Sequence, residues 1–287
     1  MKIKLDQVCT VCDKKALSTL YNLQYEQSIY HVARCSNCNL IQTLGQQNTL
    51  SPDYVGLESI SFEGDQLWYE KSHKLGAYRQ LNYLLTSLSN NKKTKSVLDV
   101  GCGIGTFLDF MNDEEYACFG YDLSSAHVKI ASSLHSKVRI AQDSNEYLSE
   151  LSESNRKFDL ITLWDVFEHI RDPVEQLSML SNHMGESSCL YISVPAGNFL
   201  MLKRTLKKLF GVNDDESYIP WEHVYYHTEK SLSYALNKAG LYPVKYISVD
   251  CYTRAPSVLE YSRRLLFKLL QLTGVYRPQL GVVAKLK

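Results

Sequence analysis

Long apolar runs are missing from this sequence. No uninterrupted stretch reaches the roughly 20 residues that a membrane-spanning helix needs, and the opening MKIKLDQVC has no apolar core of the kind a secretory signal carries. Both absences lead us to expect a cytoplasmic protein. Net charge is absent too: 31 basic side chains balance 31 acidic ones, so no overall field draws in nucleic acid. What remains is a chain of 287 residues with 45% hydrophobic content, enough for one large core and a small appended module.

The chain is organised around SVLDVGCGIGTFLDF, residues 96–110. Val97 to Val100 reads as a buried parallel strand, and Thr106 to Phe110 as the start of a helix with Phe107, Leu108 and Phe110 on its apolar side. Between them Gly101, Gly103 and Gly105 mark a tight crossing. Residues without a Cβ let a ligand approach the main chain, whose free N–H groups are expected to face it from the helix N-terminus. A nucleotide or nucleoside cofactor fits such a turn. A dinucleotide fingerprint places its third glycine where this chain has Thr106.

The pattern Asp99-x-Gly101-x-Gly103-x-Gly105 instead resembles the first motif of class I S-adenosylmethionine (SAM)-dependent methyltransferases. The segment 117–122, ACFGYD, reads as a second strand whose terminal Asp122 can accept the ribose hydroxyls of an adenosyl group. The resemblance implies a Rossmann-like, seven-stranded α/β sheet with helices on both faces, and a SAM site that includes Asp99, Gly101, Cys102, Gly103, Gly105, Asp122 and Leu123. It also makes Asp143, after the third strand, a candidate for the adenine amine, with a helix cap as the alternative role. In FDLITLWDVFEHIRDP, 158–173, the strand Phe158 to Leu163 releases Trp164 and Asp165 along the cofactor. His169 follows as a candidate catalytic group beside Glu168.

Eight cysteines in a cytoplasmic chain point to metal or thiols before disulfides. Four form two pairs, Cys9 with Cys12 and Cys35 with Cys38, spaced to give four thiolates to one structural Zn²⁺; a redox dithiol is the alternative. Tyr21, Tyr25 and Tyr30 between the pairs suit a short hairpin. Cys102, Cys118, Cys189 and Cys251 fall singly and read as small buried hydrophobes. Three regions follow: 1–45 as a zinc ribbon, 46–95 as linker and N-terminal helix, and 96–287 as the methyltransferase domain, with insertions at about 196–227 and 254–278.

The first insertion carries the basic amphipathic run Lys203 to Phe210, and Ser257 to Leu272 is a second one. Such runs are ordinarily solvated faces; peripheral contact with anionic lipid is the sharper alternative. The insertion ends in Trp221-Glu222-His223-Val224-Tyr225-Tyr226-His227. Arg34 to Gln42 and the Glu222-His223 pair are similar to sugar C-methyltransferases that modify nucleotide-linked ketosugars, although Pro220 stands where that family has a tyrosine. We expect His223 to act as general base with Glu222 orienting it, and Tyr225, Tyr226 or His227 to bind the acceptor. The resulting expectation is methyl transfer to a small molecule, above all a sugar or glycan hydroxyl of polysaccharide or secondary-metabolite synthesis. RNA methylation with the ribbon as reader, and a non-catalytic SAM-binding module, remain as alternatives.

Overall fold

The computed structural model describes residues 6–25, 28–44, 74–88, 95–134, 139–141, 155–211, 223–249 and 278–287. At the N-terminus, β1 (Leu17–Tyr25) and β2 (Ser28–Cys35) form the expected antiparallel hairpin, and β3 (Ile41–Leu44) pairs back onto β2. Helix α1 (Leu75–Leu88) buries Ala77, Tyr78, Leu81, Leu84 and Leu85, a stripe at helical spacing. It precedes β4 (Lys95–Val100), α2 (Thr106–Asp113), β5 (Tyr116–Tyr121), α3 (Ser125–Leu134) and β6 (Arg139–Ala141).

Next come β7 (Phe158–Trp164), a 3₁₀ turn at Phe167–His169, α4 (Pro173–Ser181), β8 (Met184–Pro195) and α5 (Gly197–Leu209). The chain ends with β9 (Tyr225–Tyr226), α6 (Glu229–Lys238), β10 (Leu241–Ser248) and β11 (Gln279–Leu286). Thr228 starts α6 through a reciprocal cap with Ser231, satisfying two otherwise orphaned groups at the helix start.

The main sheet has seven strands in the order β10-β11-β8-β7-β4-β5-β6. Strands β4 to β8 pair in parallel, and β11 enters antiparallel between β8 and β10. This is the Rossmann-like methyltransferase sheet expected from the sequence. Strand order reverses between β4 and β7, which opens a crevice at their carboxyl ends, where open α/β sheets bind ligands. Central strands carry residues buried on both faces, such as Leu98, Ile161 and Ile192, as a sheet covered on both sides requires.

A second sheet joins two segments that lie far apart in the chain. Its order is β1-β2-β3-β9, so the N-terminal hairpin and its exit strand are completed by residues 225–226. Further contacts bind this module to the rest: Arg204 lies over the Tyr21 ring at 3.8 Å from its centroid, Arg34 donates to the Met201 sulfur at 3.7 Å, and Lys238 pairs with Asp13. Among the described residues no helix is long and apolar enough to cross a membrane. The expected helix at Ser257 to Leu272 lies outside the described residues.

Candidate active site

Asp99 sits near the end of an apolar strand and is buried there, with Oδ1 accepting a 2.6 Å bond from the Thr162 hydroxyl. Burial pushes its carboxyl from 3.8 to about 7, against the opposing pull of the Thr162 bond and of Lys74. The loop that follows turns through positive φ at Gly101, Gly103 and Gly105. At Gly101 an added Cβ would fall 2.4 Å from a Val166 methyl, so this glycine allows the loop to pack on the β7 exit. At Gly103 an added Cβ would meet nothing within 4 Å; it would stand in the cavity.

The loop amides depart from expectation. The N–H groups of Gly101 and Cys102 donate to the Tyr121 carbonyl, Gly103 N–H to Asp122 Oδ2 at 2.8 Å, and Gly105 N–H to the Cys102 carbonyl. These donors stitch the loop to the end of β5 and are not free for a ligand. The loop is thereby built in advance, and what it contributes to the cavity is the space left by the missing Cβ of Gly103.

Asp122 Oδ1 also accepts from Ser124 N–H at 2.9 Å, and His127 Nδ1 lies 3.4 Å away. An ionised carboxylate has about four acceptor sites, so each oxygen retains capacity for a hydroxyl. The crevice holds a cavity of about 480 Å³, within the usual range for small-ligand sites. Gly101, Cys102, Gly103, Asp122, Leu123 and Trp164 all line it. Leu123 is 64% exposed, an apolar side chain at the wall of the cavity. Trp164 packs against the rings of Tyr78 and Tyr191, with centroids 4.9 and 4.6 Å away.

Two partners of Asp165 lie far away in sequence. Lys74 Nζ is 2.6 Å from Asp165 Oδ2, and the Gln279 side-chain amide donates to Oδ1. Asp165 itself holds φ +55°, a strained conformation for a side-chain-bearing residue and one that clusters at functional sites. Lys74 stands immediately before α1, in the region expected to be linker and N-terminal helix. Lys74, Tyr78 and Gln279 reach the site only through tertiary packing, and no local motif marks them.

Below Asp165 the 3₁₀ turn brings Glu168 and His169 to His223. The donor atoms of these three side chains all lie within 4.8 Å of one another. The imidazole rings of His169 and His223 meet edge to face at 4.8 Å. The backbone clamps them: Val224 N–H donates to the Glu168 carbonyl, Thr43 N–H to the Val224 carbonyl, and the Thr43 hydroxyl to the His223 carbonyl. Thus β3 holds the peptide of His223 in place. Glu168 is fully buried, and neither carboxylate oxygen has a hydrogen-bond partner among the described residues. Burial, then the Asp165 charge, push its carboxyl well above the usual range. Burial, then His169, lower His223 to about 4, so its imidazole is neutral at pH 7.

Other expected acceptor contacts are placed elsewhere. Tyr225, Tyr226 and His227 are buried and do not line the cavity. Tyr225 donates to the Arg171 carbonyl at 2.7 Å, and His227 stacks on Phe167 with centroids 4.9 Å apart. They lie in packing because β9, the outermost strand of the small sheet, is buried where its segment meets the 3₁₀ turn. Glu222 and Asp143 lie outside the described residues.

The two cysteine pairs converge on one point. Cys9 and Cys38 sulfurs are 3.6 Å apart, Cys12 and Cys35 sulfurs 3.5 Å, and all four lie within 4.8 Å of one another. Tetrahedral ligands at a metal–sulfur distance of ~2.3 Å stand about 3.8 Å apart, so these thiols fit such an ion. The hydrogen bond from Cys38 holds the Cys9 thiol down at about 5, while the same bond and burial push Cys38 up. Cys102, Cys118 and Cys189 are buried singly, and burial raises all three thiols, in keeping with small hydrophobes. Cys251 lies outside the described residues.

A family model described as a methyltransferase domain matches residues 72–246, which takes in the glycine loop, Asp122, the Asp165 turn and His223. The chain belongs to the class I family of SAM-dependent methyltransferases. Among curated relatives, the ubiquinone biosynthesis O-methyltransferase of Pasteurella multocida (strain Pm70) is 28% identical over 156 residues, 49% of this chain and 61% of that protein. The enzyme of the same name from Serratia proteamaculans (strain 568) is 26% identical over 143 residues, 48% of this chain. The match spans 55% of that second relative, so it covers little more than half of these proteins. The solved structure of the plantazolicin methyltransferase BpumL in complex with SAH has a TM-score of 0.54 at 19% identity, covering 84% of this chain and 93% of that one. This likeness is one of fold.

Proposed function

We propose that this methyltransferase moves a methyl group from SAM to an oxygen of a small-molecule acceptor, and that its N-terminal module is a zinc ribbon with a structural role. The observation that carries the first part is the cavity at the reversal of strand order, walled by Gly103, Asp122, Leu123 and Trp164. Its residues suit an adenosyl sulfonium. The remaining lone pairs of Asp122 receive the ribose hydroxyls, Gly103 gives the ligand room to lie against the loop, and Leu123 offers an apolar wall for the base. Bound SAM supplies an electrophilic methyl on positive sulfur with a neutral thioether as leaving group.

The protein's own tasks are then to align the acceptor, exclude water and deal with the acceptor's proton. Trp164, Tyr78 and Phe107 line the cavity with mutually packed rings, and Tyr191 backs Trp164 from the interior. Asp99 and the Lys74–Asp165 pair place charge along its wall. His169 lines the cavity with His223 behind it, and this imidazole pair marks the end of the cavity where the oxygen of a hydroxyl acceptor is handled. An O-linked acceptor agrees with the curated relatives, which are O-methyltransferases; sugars form one class within the hydroxyl compounds to be screened.

For the ribbon, the support is four buried thiols at tetrahedral spacing with no fifth ligand grouped with them among the described residues, a site that suits structural metal. Calorimetry on zinc-replete protein should register saturable SAM binding and none with NAD. Labelled-methyl transfer across phenols, nucleotide sugars, glycans and total RNA should label a small hydroxyl compound. Heat with NAD but none with SAM, or label in RNA alone, would defeat the proposal.

A further inference from the structure

We propose that Glu168, His169 and His223 form a second metal site, one that binds a divalent first-row transition ion at the acceptor end of the cavity. This rests on the reading of the cavity as a SAM site and names the device that handles the acceptor oxygen. Three observations lead to it.

The first is convergence. One carboxylate and two imidazoles, from a 3₁₀ turn and from a segment more than fifty residues later, bring their donor atoms within 4.8 Å of one another. An ion ~2.1 Å from each ligand spans donors up to about 4.2 Å apart, so closure onto a metal takes movements of under about one ångström. The second is the state of Glu168. A buried carboxyl group with both oxygens unpartnered among the described residues is costly, and a coordinated ion would give it the partner it lacks. Lys74, the ammonium that lines the same cavity, is already engaged by Asp165. The third is preorganisation: the backbone bonds among Glu168, Val224, Thr43 and His223 fix both halves of the cluster before any ligand arrives.

The ligand set decides the kind of ion. Two imidazoles favour manganese, iron, cobalt or zinc over magnesium and calcium, and three protein ligands leave positions open, unlike the closed cysteine site. His169 lines the cavity, so an open position faces the acceptor. A hydroxyl bound there loses its proton to water more readily. Its oxygen then forms a bond to the methyl carbon as the carbon–sulfur bond breaks, and sulfur leaves as the neutral thioether. Each imidazole acts here as a ligand, and the proton leaves without a histidine base.

The test uses the full chain with zinc in its cysteine site. Titration with Mn²⁺, followed by the loss of the free-ion paramagnetic resonance signal, should give one bound Mn²⁺ per chain. Glu168→Gln and His223→Ala should each weaken that binding by about tenfold or more while zinc content and SAM affinity are kept. Should Glu168→Gln fail to fold, His169→Ala and His223→Ala decide. Co²⁺ bound at this site should show no thiolate charge-transfer band. No Mn²⁺ or Co²⁺ binding by a protein that still binds SAM overturns the metal site and leaves the SAM reading standing. A Co²⁺ spectrum with thiolate bands and unchanged Mn²⁺ binding in the variants overturn it equally. Failure to bind SAM removes the reading beneath it.

Discussion

Gly101 and Gly103 stand two residues apart and face different neighbours, which separates a folding role from a binding one. Gly101→Ala meets a Val166 methyl at 2.4 Å and a left-handed backbone together, so it should cost about 2–4 kcal/mol of stability by urea unfolding. Gly103→Ala meets no protein atom and should cost only about 1–2 kcal/mol, from its φ of +54°. Its methyl enters the cavity, and calorimetry should find SAM affinity down by about tenfold or more. Asp99 makes a prediction in pH. Its carboxyl titrates at about 7 in the folded protein against 3.8 for the ordinary group. Folding therefore takes up a proton between those values, and this contribution to stability, complete below pH 3.8, is lost as pH rises to about 7. Wild type should lose roughly 2–3 kcal/mol relative to Asp99→Asn between pH 5 and pH 8, measured without ligand. Parallel slopes for the two proteins would refute it.

At the scale of elements, legibility followed locality. The β4 turn could be read because strand, glycines and helix are consecutive residues, and the hairpin between the CxxC pairs for the same reason. The partners of Asp165 could not, since Lys74 and Gln279 lie 91 residues before and 114 after it and meet it only when the sheet closes. The acceptor role given to Tyr225, Tyr226 and His227 came from their nearness in sequence to His223. Pairing of Tyr225–Tyr226 with Ile41–Gln42 placed these residues in the interior, a consequence of long-range register that no periodicity announces. Helix α5 adds a test of that packing. A Cβ at Gly197 would meet the Tyr226 carbonyl oxygen at 2.8 Å and that of His227 at 3.1 Å, both backbone atoms with little freedom to yield. Gly197→Ala should cost about 1–3 kcal/mol and lower turnover by disturbing the neighbouring His223, with SAM affinity unchanged.

Across the whole molecule, the cysteine cluster and the crevice are joined through β3, whose Thr43 holds Val224 and the His223 carbonyl. The four clustered thiols and the apolar residues around them belong to the same buried cluster as the central strands of the large sheet. Replacing Cys9 and Cys38 by Ser should abolish zinc by elemental analysis and lower the melting temperature of the entire protein in one transition. Methyl transfer should fall along with it. Two separate transitions, or full activity without zinc, would show the module to be an independent passenger.

Because the small sheet borrows its fourth strand from residues 225–226, neither part has a complete edge on its own. Cutting the gene between them would leave an unsatisfied ladder on each fragment, an invitation to stick to other chains. The module therefore cannot be traded between enzymes as a loose cassette: any swap must carry the matching downstream dipeptide with it.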